Sequence, residues 1–331
     1  MPVRRAQVPR GSGPAVVAIG GGHGLAASLR ALRRVTDNLT AIVGMADDGG
    51  SSGRLREQFG VPPPGDLRMA LAALCGDDSW GRTWSRVIQH RFGGQGDLKG
   101  HSLGNLLITA LWEETGDVVN GLDWVGSLLG AQGRVLPVSL GPLEIVAEVA
   151  GLDDGDGLTE VRGQVAVART AGTVVEIGVV PARPAACLEA LEALSNADHI
   201  VLGPGSWYTS VLAPLLVPDL LAAFAASSAR RTLVLNLAPQ PGETSGFKPQ
   251  THLQVWKRQF PDIALDYVHA DPARVPRVDV LREACRSVGA QLVLNPLAAN
   301  EIDGGRDNHD PDLLAAAFAS VIGRGSIAPW R

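Results

Sequence analysis

The sequence predicts an α/β fold, a doubly wound and mainly parallel Rossmann-like sheet carrying a small antiparallel β insertion. Three observations point to it. Short apolar runs alternate with segments of helical periodicity over most of the 331 residues. Three of those runs end in turns of small residues that lead directly into a helix. Between 133 and 181 the apolar spacing switches to period two, the mark of half-buried antiparallel strands.

Residues 1–13 read as a disordered lead-in, followed by a single domain over 14–331. Residues 15–19 form a buried first strand, and Gly20-Gly21-Gly22-His23-Gly24 turns into a helix expected over 25–34. Strand, glycine turn, helix is the phosphate-binding opening of a doubly wound sheet, because free N–H groups at the helix start face the ligand. The dinucleotide fingerprint needs a third glycine where Leu25 stands, so the fold follows and NAD does not. His23 is either a ligand contact or a turn residue tolerating an unusual dihedral.

A second strand, 40–46, ends at Asp47 and Asp48, on the side where open α/β sheets bind ligands. Gly49, Gly50, Ser51 and Ser52 then expose backbone N–H groups to phosphate oxygens. Arg54, Arg56, Asp66 and Arg68 follow on a loop stiffened by Pro62, Pro63 and Pro64. Acids paired with guanidiniums suit a metal ion and a dianion; the plain alternative is a solvated surface turn. Asp66 is placed to cap the helix that follows. The helix expected over 79–94 carries Trp80, Trp84 and Phe92 as core residues.

A second glycine-containing turn, 99–105, opens an apolar helix, with His101 and Asn105 as anion contacts. Otherwise Ser102 is only an N-cap and His101 only a surface side chain. In the insertion, strands are expected at 143–149, 163–168 and 173–180. Its acidic turn, Asp153, Asp154 and Asp156, lacks the length and closing Glu of a calcium loop and reads as a solvated hairpin tip. The α/β alternation then resumes with a helix near 184–195, a strand at 198–202 and the small-residue turn Gly203-Pro204-Gly205-Ser206. A strand at 231–237 leads to the loop Gln240-Pro241-Gly242-Glu243-Thr244, where Glu243 is either a ligand-binding base or a solvated side chain. Strands near 264–269 and 291–295 and helices near 277–288 and 311–322 complete the sheet.

A hydrophobic content of 45% with 19% charged residues excludes general disorder. The net charge of -5 argues against a general nucleic-acid binder. Only Lys99, Lys248 and Lys257 are lysines among 29 basic residues, so anion contacts fall to bidentate arginine. Cys75, Cys187 and Cys285 are far apart and odd in number, as buried thiols of a reducing compartment are. The longest apolar stretch, 211–226, is interrupted by Pro214, Pro218 and Asp219, so no membrane span is expected. Nor do residues 1–14 read as a signal peptide, and the expected location is the cytoplasm.

As a set, Gly20-Gly21-Gly22-His23-Gly24, Ala46-Asp47-Asp48-Gly49-Gly50-Ser51-Ser52-Gly53-Arg54, Pro64-Gly65-Asp66-Leu67-Arg68, Gly104-Asn105, Leu202-Gly203-Pro204-Gly205-Ser206 and Gln240-Pro241-Gly242-Glu243-Thr244 resemble the YvcK family of gluconeogenesis factors. That family is similar to the CofD 2-phospho-L-lactate transferases. The resemblance implies a CofD-like fold, UDP-sugar binding, and a regulatory role without turnover in cell-wall (peptidoglycan) morphogenesis, cell shape and growth on gluconeogenic carbon. The CofD branch implies instead a magnesium-dependent transferase that passes phospholactate from a guanosine-diphosphate donor to a deazaflavin. Carried over residue by residue, the metal acids are Asp47, Asp48 and Asp66, and the turns at 20–24 and 203–206 hold the nucleotide. The stretch Gly49 to Gly53 is of the YvcK type, which favours the UDP-sugar reading. An NAD-binding protein is the third reading, since Asp47 and Asp48 stand where a ribose-binding acid belongs. A protein partner for the regulatory role and a homo-oligomeric state are further expectations, neither assigned to any stretch.

Overall fold

The computed structural model describes residues 11–152, 157–299 and 307–323. Most of the expected lead-in, 1–10, and residues 153–156 of the acidic turn lie outside the described residues. Ten strands are β1 (Val16–Gly20), β2 (Leu39–Val43), β3 (Arg134–Pro137), β4 (Glu144–Ala150), β5 (Leu158–Arg162), β6 (Thr173–Val180), β7 (His199–Leu202), β8 (Arg230–Val234), β9 (Tyr267–Ala270) and β10 (Gln291–Leu294). Seven of them make one parallel sheet in the order β10-β9-β8-β7-β1-β2-β3. The chain runs outward from β1 through β2 to β3, then returns to β7 on the other flank of β1 and runs outward again. The order therefore reverses between β1 and β7, and open α/β sheets bind ligands at such a switch point. β1 is buried along its whole length, since helices cover both faces, and this explains its unbroken apolar run.

The second sheet, β5-β4-β6, is antiparallel. Along β4, Ile145, Ala147 and Val149 are buried while the alternate positions are open, as the period-two pattern requires. Two boundaries differ from expectation. Arg134–Pro137 pairs with β2 as the edge of the main sheet, so the insertion starts later than 133. Gln164–Ala168 is a short helix, and the middle strand is the preceding Leu158–Arg162. Gly163, at φ 90°, breaks the extended run, and the Asp48 carboxylate accepts the Val165 N–H at 3.1 Å. Five residues are too few for periodicity to separate strand from helix.

The first helix is Gly22–Leu32, so the glycine turn supplies its first turn; Gly22 holds φ +59° there. Gly50–Phe59 is also a helix, which moves Arg54 and Arg56 from the expected loop onto a helical face. Helix Gly65–Leu74 takes Pro64 as its N-cap; Asp66 sits in its first turn and does not cap it, its carboxylate turning instead to the Gly22 N–H at the start of the first helix. Helix Ser79–Gln89 exposes Trp80 at 53% relative area, so this ring is not core; its indole N–H donates to the Leu128 carbonyl at 3.4 Å. The long apolar stretch after β7 forms a helical run, π-type over Trp207–Leu212 and 3-10 over Ala213–Leu216, bent by 84° from helix Pro218–Ala226. Among the described residues no single helix is long and apolar enough to cross a membrane. Cys75, Cys187 and Cys285 are buried and unpaired.

Candidate functional site

At the β1/β7 switch point lies a crevice of about 400 Å³. The starts of helices Gly22–Leu32, Gly50–Phe59 and Gly65–Leu74 open into it. First-turn N–H groups have no carbonyl four residues back, so three donor-rich, electropositive ends converge on one space. Of the glycine-turn residues, Gly21, Gly22, His23, Gly24, Gly49, Gly50, Ser51, Ser52, Gly205 and Ser206 line it. Gly20, Gly203 and Pro204 stand behind the lining and shape the turns.

One wall is acidic. Asp47 follows β2 and accepts the Gly49 N–H at 3.0 Å. Asp66 faces it, with the Gly22 N–H directed at its carboxylate; burial first, and the Asp47 charge second, raise its pKa to about 7. A Cβ on Gly21 would stand 2.5 Å from the Asp66 carboxylate, so the glycine admits this close approach. Asp48 points elsewhere, to the start of helix Gln164–Ala168. The expected three-acid metal site is therefore two acids. Among the described residues no group of three or more His, Cys, Asp or Glu is placed to hold a metal ion. Asp47 and Asp66 fit a hard cation such as magnesium that takes its other oxygens from water and phosphate.

The opposite wall is basic. Arg68 is 4% exposed, its Nε has no partner, and Arg91 stands close enough that burial first and this like charge second lower its pKa to about 10. Arg91 donates to the Gly100 carbonyl at 3.0 Å and lines the crevice. Asn105, on helix Leu103–Thr115, lines it too and donates from Nδ2 to Ser51 Oγ at 3.0 Å. His101 is buried behind Ser51, its Nδ1 3.0 Å from the serine oxygen, so it is neither a surface side chain nor a lining residue. Ser102 precedes the helix without a side-chain cap. Arg54 reaches the Lys99 carbonyl at 2.8 Å and holds the 97–99 loop instead of the crevice.

The third turn is clamped by Asn236, which accepts from the Gly205 N–H at 2.9 Å and donates to its carbonyl at 2.7 Å. Gln240 lines the crevice, while Thr244 accepts the Gln240 N–H at 2.8 Å and closes the loop. Glu243 is neither solvated nor in the crevice: it is 3% exposed and faces the N–H groups of Thr209, Trp207 and Tyr208. Burial raises its pKa to about 7, with those N–H groups opposing the rise. Sequence reasoning missed Met69, Arg91, Gln164 and Ser210 in the lining. Gln164 was hidden by the strand assignment. Arg91 gave no local signal, because its side chain reaches the crevice only once the segment after helix Ser79–Gln89 folds against Ser102.

The model of the family described as 2-phospho-L-lactate transferase CofD matches residues 16–295. A protein of Mycobacterium leprae is 48% identical over 312 residues, covering 94% of this chain and 87% of its own length. Further relatives carry the name gluconeogenesis factor. That of Halalkalibacterium halodurans is 41% identical over 72% of this chain and 71% of its own length; that of Listeria innocua is 33% identical over 93% and 96%. The crystal structure of a UPF0052 family member from Bacillus halodurans superposes with a TM-score of 0.81 at 32% identity, covering 93% of this chain and 99% of that one.

Proposed function

This chain belongs to the 2-phospho-L-lactate transferase CofD family, and on that premise we propose that its crevice binds a nucleotide sugar of the UDP-sugar type. The observation that carries the proposal is Arg68, a buried guanidinium with an unpartnered Nε, set beside Arg91 where three helix starts converge. Burying that guanidinium is costly, the Asp66 and Asp47 charges offset the cost only in part, and a diphosphate adds charge-assisted, bidentate hydrogen bonds. The relatives named gluconeogenesis factor support a regulatory role in growth on gluconeogenic carbon sources. A role in cell-wall morphogenesis, exerted through a protein partner, belongs to the same proposal.

The facing pair Asp47 and Asp66 favours a second reading, magnesium-dependent transfer of a phosphoryl-linked group. A bound magnesium ion would neutralise phosphate charge there and polarise the phosphoryl oxygens. In that reading Asp47 and Asp66 hold the cation while Arg68 and Arg91 orient the phosphates.

Thermal unfolding with UDP-N-acetylglucosamine, UDP-glucose, NAD and a deazaflavin precursor, each with and without magnesium, tests both. A ligand at a hundred times its Kd adds about 2.7 kcal/mol. Stabilisation by UDP-sugars in wild type but not in Arg68→Met is the expected result. Magnesium-dependent stabilisation by the deazaflavin precursor alone transfers the assignment to the second reading, and indifference to every UDP-sugar refutes the first.

A further inference from the structure

Ser51 is the second residue of helix Gly50–Phe59, with its side chain in the crevice wall and 3% of its area exposed. Its Oγ meets His101 Nδ1 and Asn105 Nδ2, each at 3.0 Å. An amide nitrogen only donates, so with Asn105 on one lone pair the serine oxygen directs its own proton at His101 Nδ1 when the imidazole carries its proton on Nε2. The His101 backbone is held in place, its main-chain N–H donating to the Leu98 carbonyl at 3.0 Å and its carbonyl accepting from the Phe92 main-chain N–H at 2.9 Å. Burial, and secondarily Arg54, hold its pKa below the ordinary histidine value, which leaves it neutral and able to accept a proton at neutral pH. The same crevice is lined by the start of Ser51's own helix and by Arg68, whose buried Nε has no partner.

We propose that Ser51 is a nucleophile toward the phosphorus of a phosphoanhydride bound in the crevice, with His101 as its general base and Asn105 as the residue that orients it. Nucleophile, base, orienting donor, cation and oxyanion-binding N–H groups are the set such chemistry requires. As the Oγ–P bond forms, the bridging P–O bond breaks, its electron pair leaves with the departing phosphate, and the serine proton passes to His101 Nδ1. Water or an acceptor hydroxyl then attacks the phosphoserine, losing its proton to solvent. The P–Oγ bond breaks, and Oγ recovers the proton held by His101. The substrate class rests on the phosphate-binding reading above and goes beyond it, from binding to turnover; the nucleophile can be tested without that reading.

The experiment treats the full chain with diisopropyl fluorophosphate and follows the adduct by intact mass and peptide mapping, with a UDP-sugar thermal shift in parallel. One adduct on Ser51 is expected, absent in Ser51→Ala. His101→Gln, which keeps a hydrogen-bonding partner for Ser51 but no base, slows labelling on the order of 100-fold at an unchanged melting temperature. Asn105→Asp, of the same shape but without the donor, also slows labelling with the melting temperature unchanged. No adduct on Ser51 in the folded wild type, or labelling of His101→Gln at the wild-type rate, overturns the proposal. Ligand stabilisation without an adduct refutes only the nucleophile, and an adduct without ligand stabilisation refutes only the UDP-sugar assignment.

Discussion

Gly24→Ala sets helix propensity against the geometry of the crevice. Gly24 is the third residue of helix Gly22–Leu32, where alanine is intrinsically better by up to about 1 kcal/mol. A Cβ at that position overlaps the Pro204 carbonyl and stands 2.7 Å from Gly205 Cα, whereas ordinary contacts begin at 3.4 Å. Neither neighbour is a flexible side-chain end. Both belong to a turn held by the two Asn236 bonds and by Ser28, whose hydroxyl donates to the Gly203 carbonyl at 2.6 Å. Relief requires the turn to move as a unit, and overpacking of this kind costs about 1–3 kcal/mol. The net expectation is a loss of roughly 1–2 kcal/mol, with a weaker UDP-sugar response because Gly205 and Ser206 line the crevice. Gly126 is the control: in helix Val118–Leu129 its Cβ would lie 3.8 Å from Leu71, ordinary contact, so Gly126→Ala should gain about 0.5–1 kcal/mol. Urea unfolding of the two variants beside wild type gives both signs. A Gly24→Ala protein as stable as wild type, with an unchanged ligand response, refutes the close approach of the two turns.

The other expectations concern buried charge and aromatic packing. Glu243 keeps its proton up to about pH 7 in the folded chain, but releases it near pH ~4.3 when unfolded. Its contribution to stability is thus complete below the lower value and lost as pH rises through the upper, on the order of 3 kcal/mol. Urea titrations across that window should show a steeper decline in wild type than in Glu243→Gln, the part common to both coming from Asp66, which burial also raises to about 7. The comparison must be made between the two proteins, because His252, His269 and His309, lowered to about 4 by burial, lose stability in the opposite direction as the solution is acidified. Arg68→Met removes a buried guanidinium whose Nε has no partner, and with it an attraction to Asp66 and Asp47, so the ligand-free protein should unfold near the wild-type midpoint while nucleotide-induced stabilisation falls by about 1.5–3 kcal/mol. Trp256→Ala, at a fully buried ring, should cost about 3–5 kcal/mol in the same assay. Trp80→Ala, at a half-exposed ring, should cost well under half as much; equal losses would contradict the described burial.

Much of the fold was legible because it depends on local signals. The buried runs that became β1 and β2, the glycine turns after β1 and β7, and the period-two stretch that became β4 and β6 each report their own secondary structure within a few residues. The side of the sheet that carries the crevice was legible as well, since it follows from strand direction. Gln164–Ala168 was misassigned because one helical turn and one short strand show the same apolar spacing. Trp80 was misplaced because aromatic content does not reveal which face of a helix meets a neighbour.

By itself the sequence determined the doubly wound architecture, the side of the sheet that carries the crevice and the small residues that admit a ligand, because these follow from hydrophobic period and glycine's conformational range. Only the tertiary structure decided which charges act together. Asp47 and Asp48 are adjacent in the chain, yet one joins Asp66 on the acidic wall of the crevice and the other caps a helix in the insertion. Ser51, His101 and Asn105 are separated by up to 54 residues, yet meet at 3.0 Å. Glu243, in a polar loop, is driven into the protein beside the N–H groups that follow β7. Side-chain direction and burial depend on contacts between segments distant in the chain, and local pattern carries no record of them.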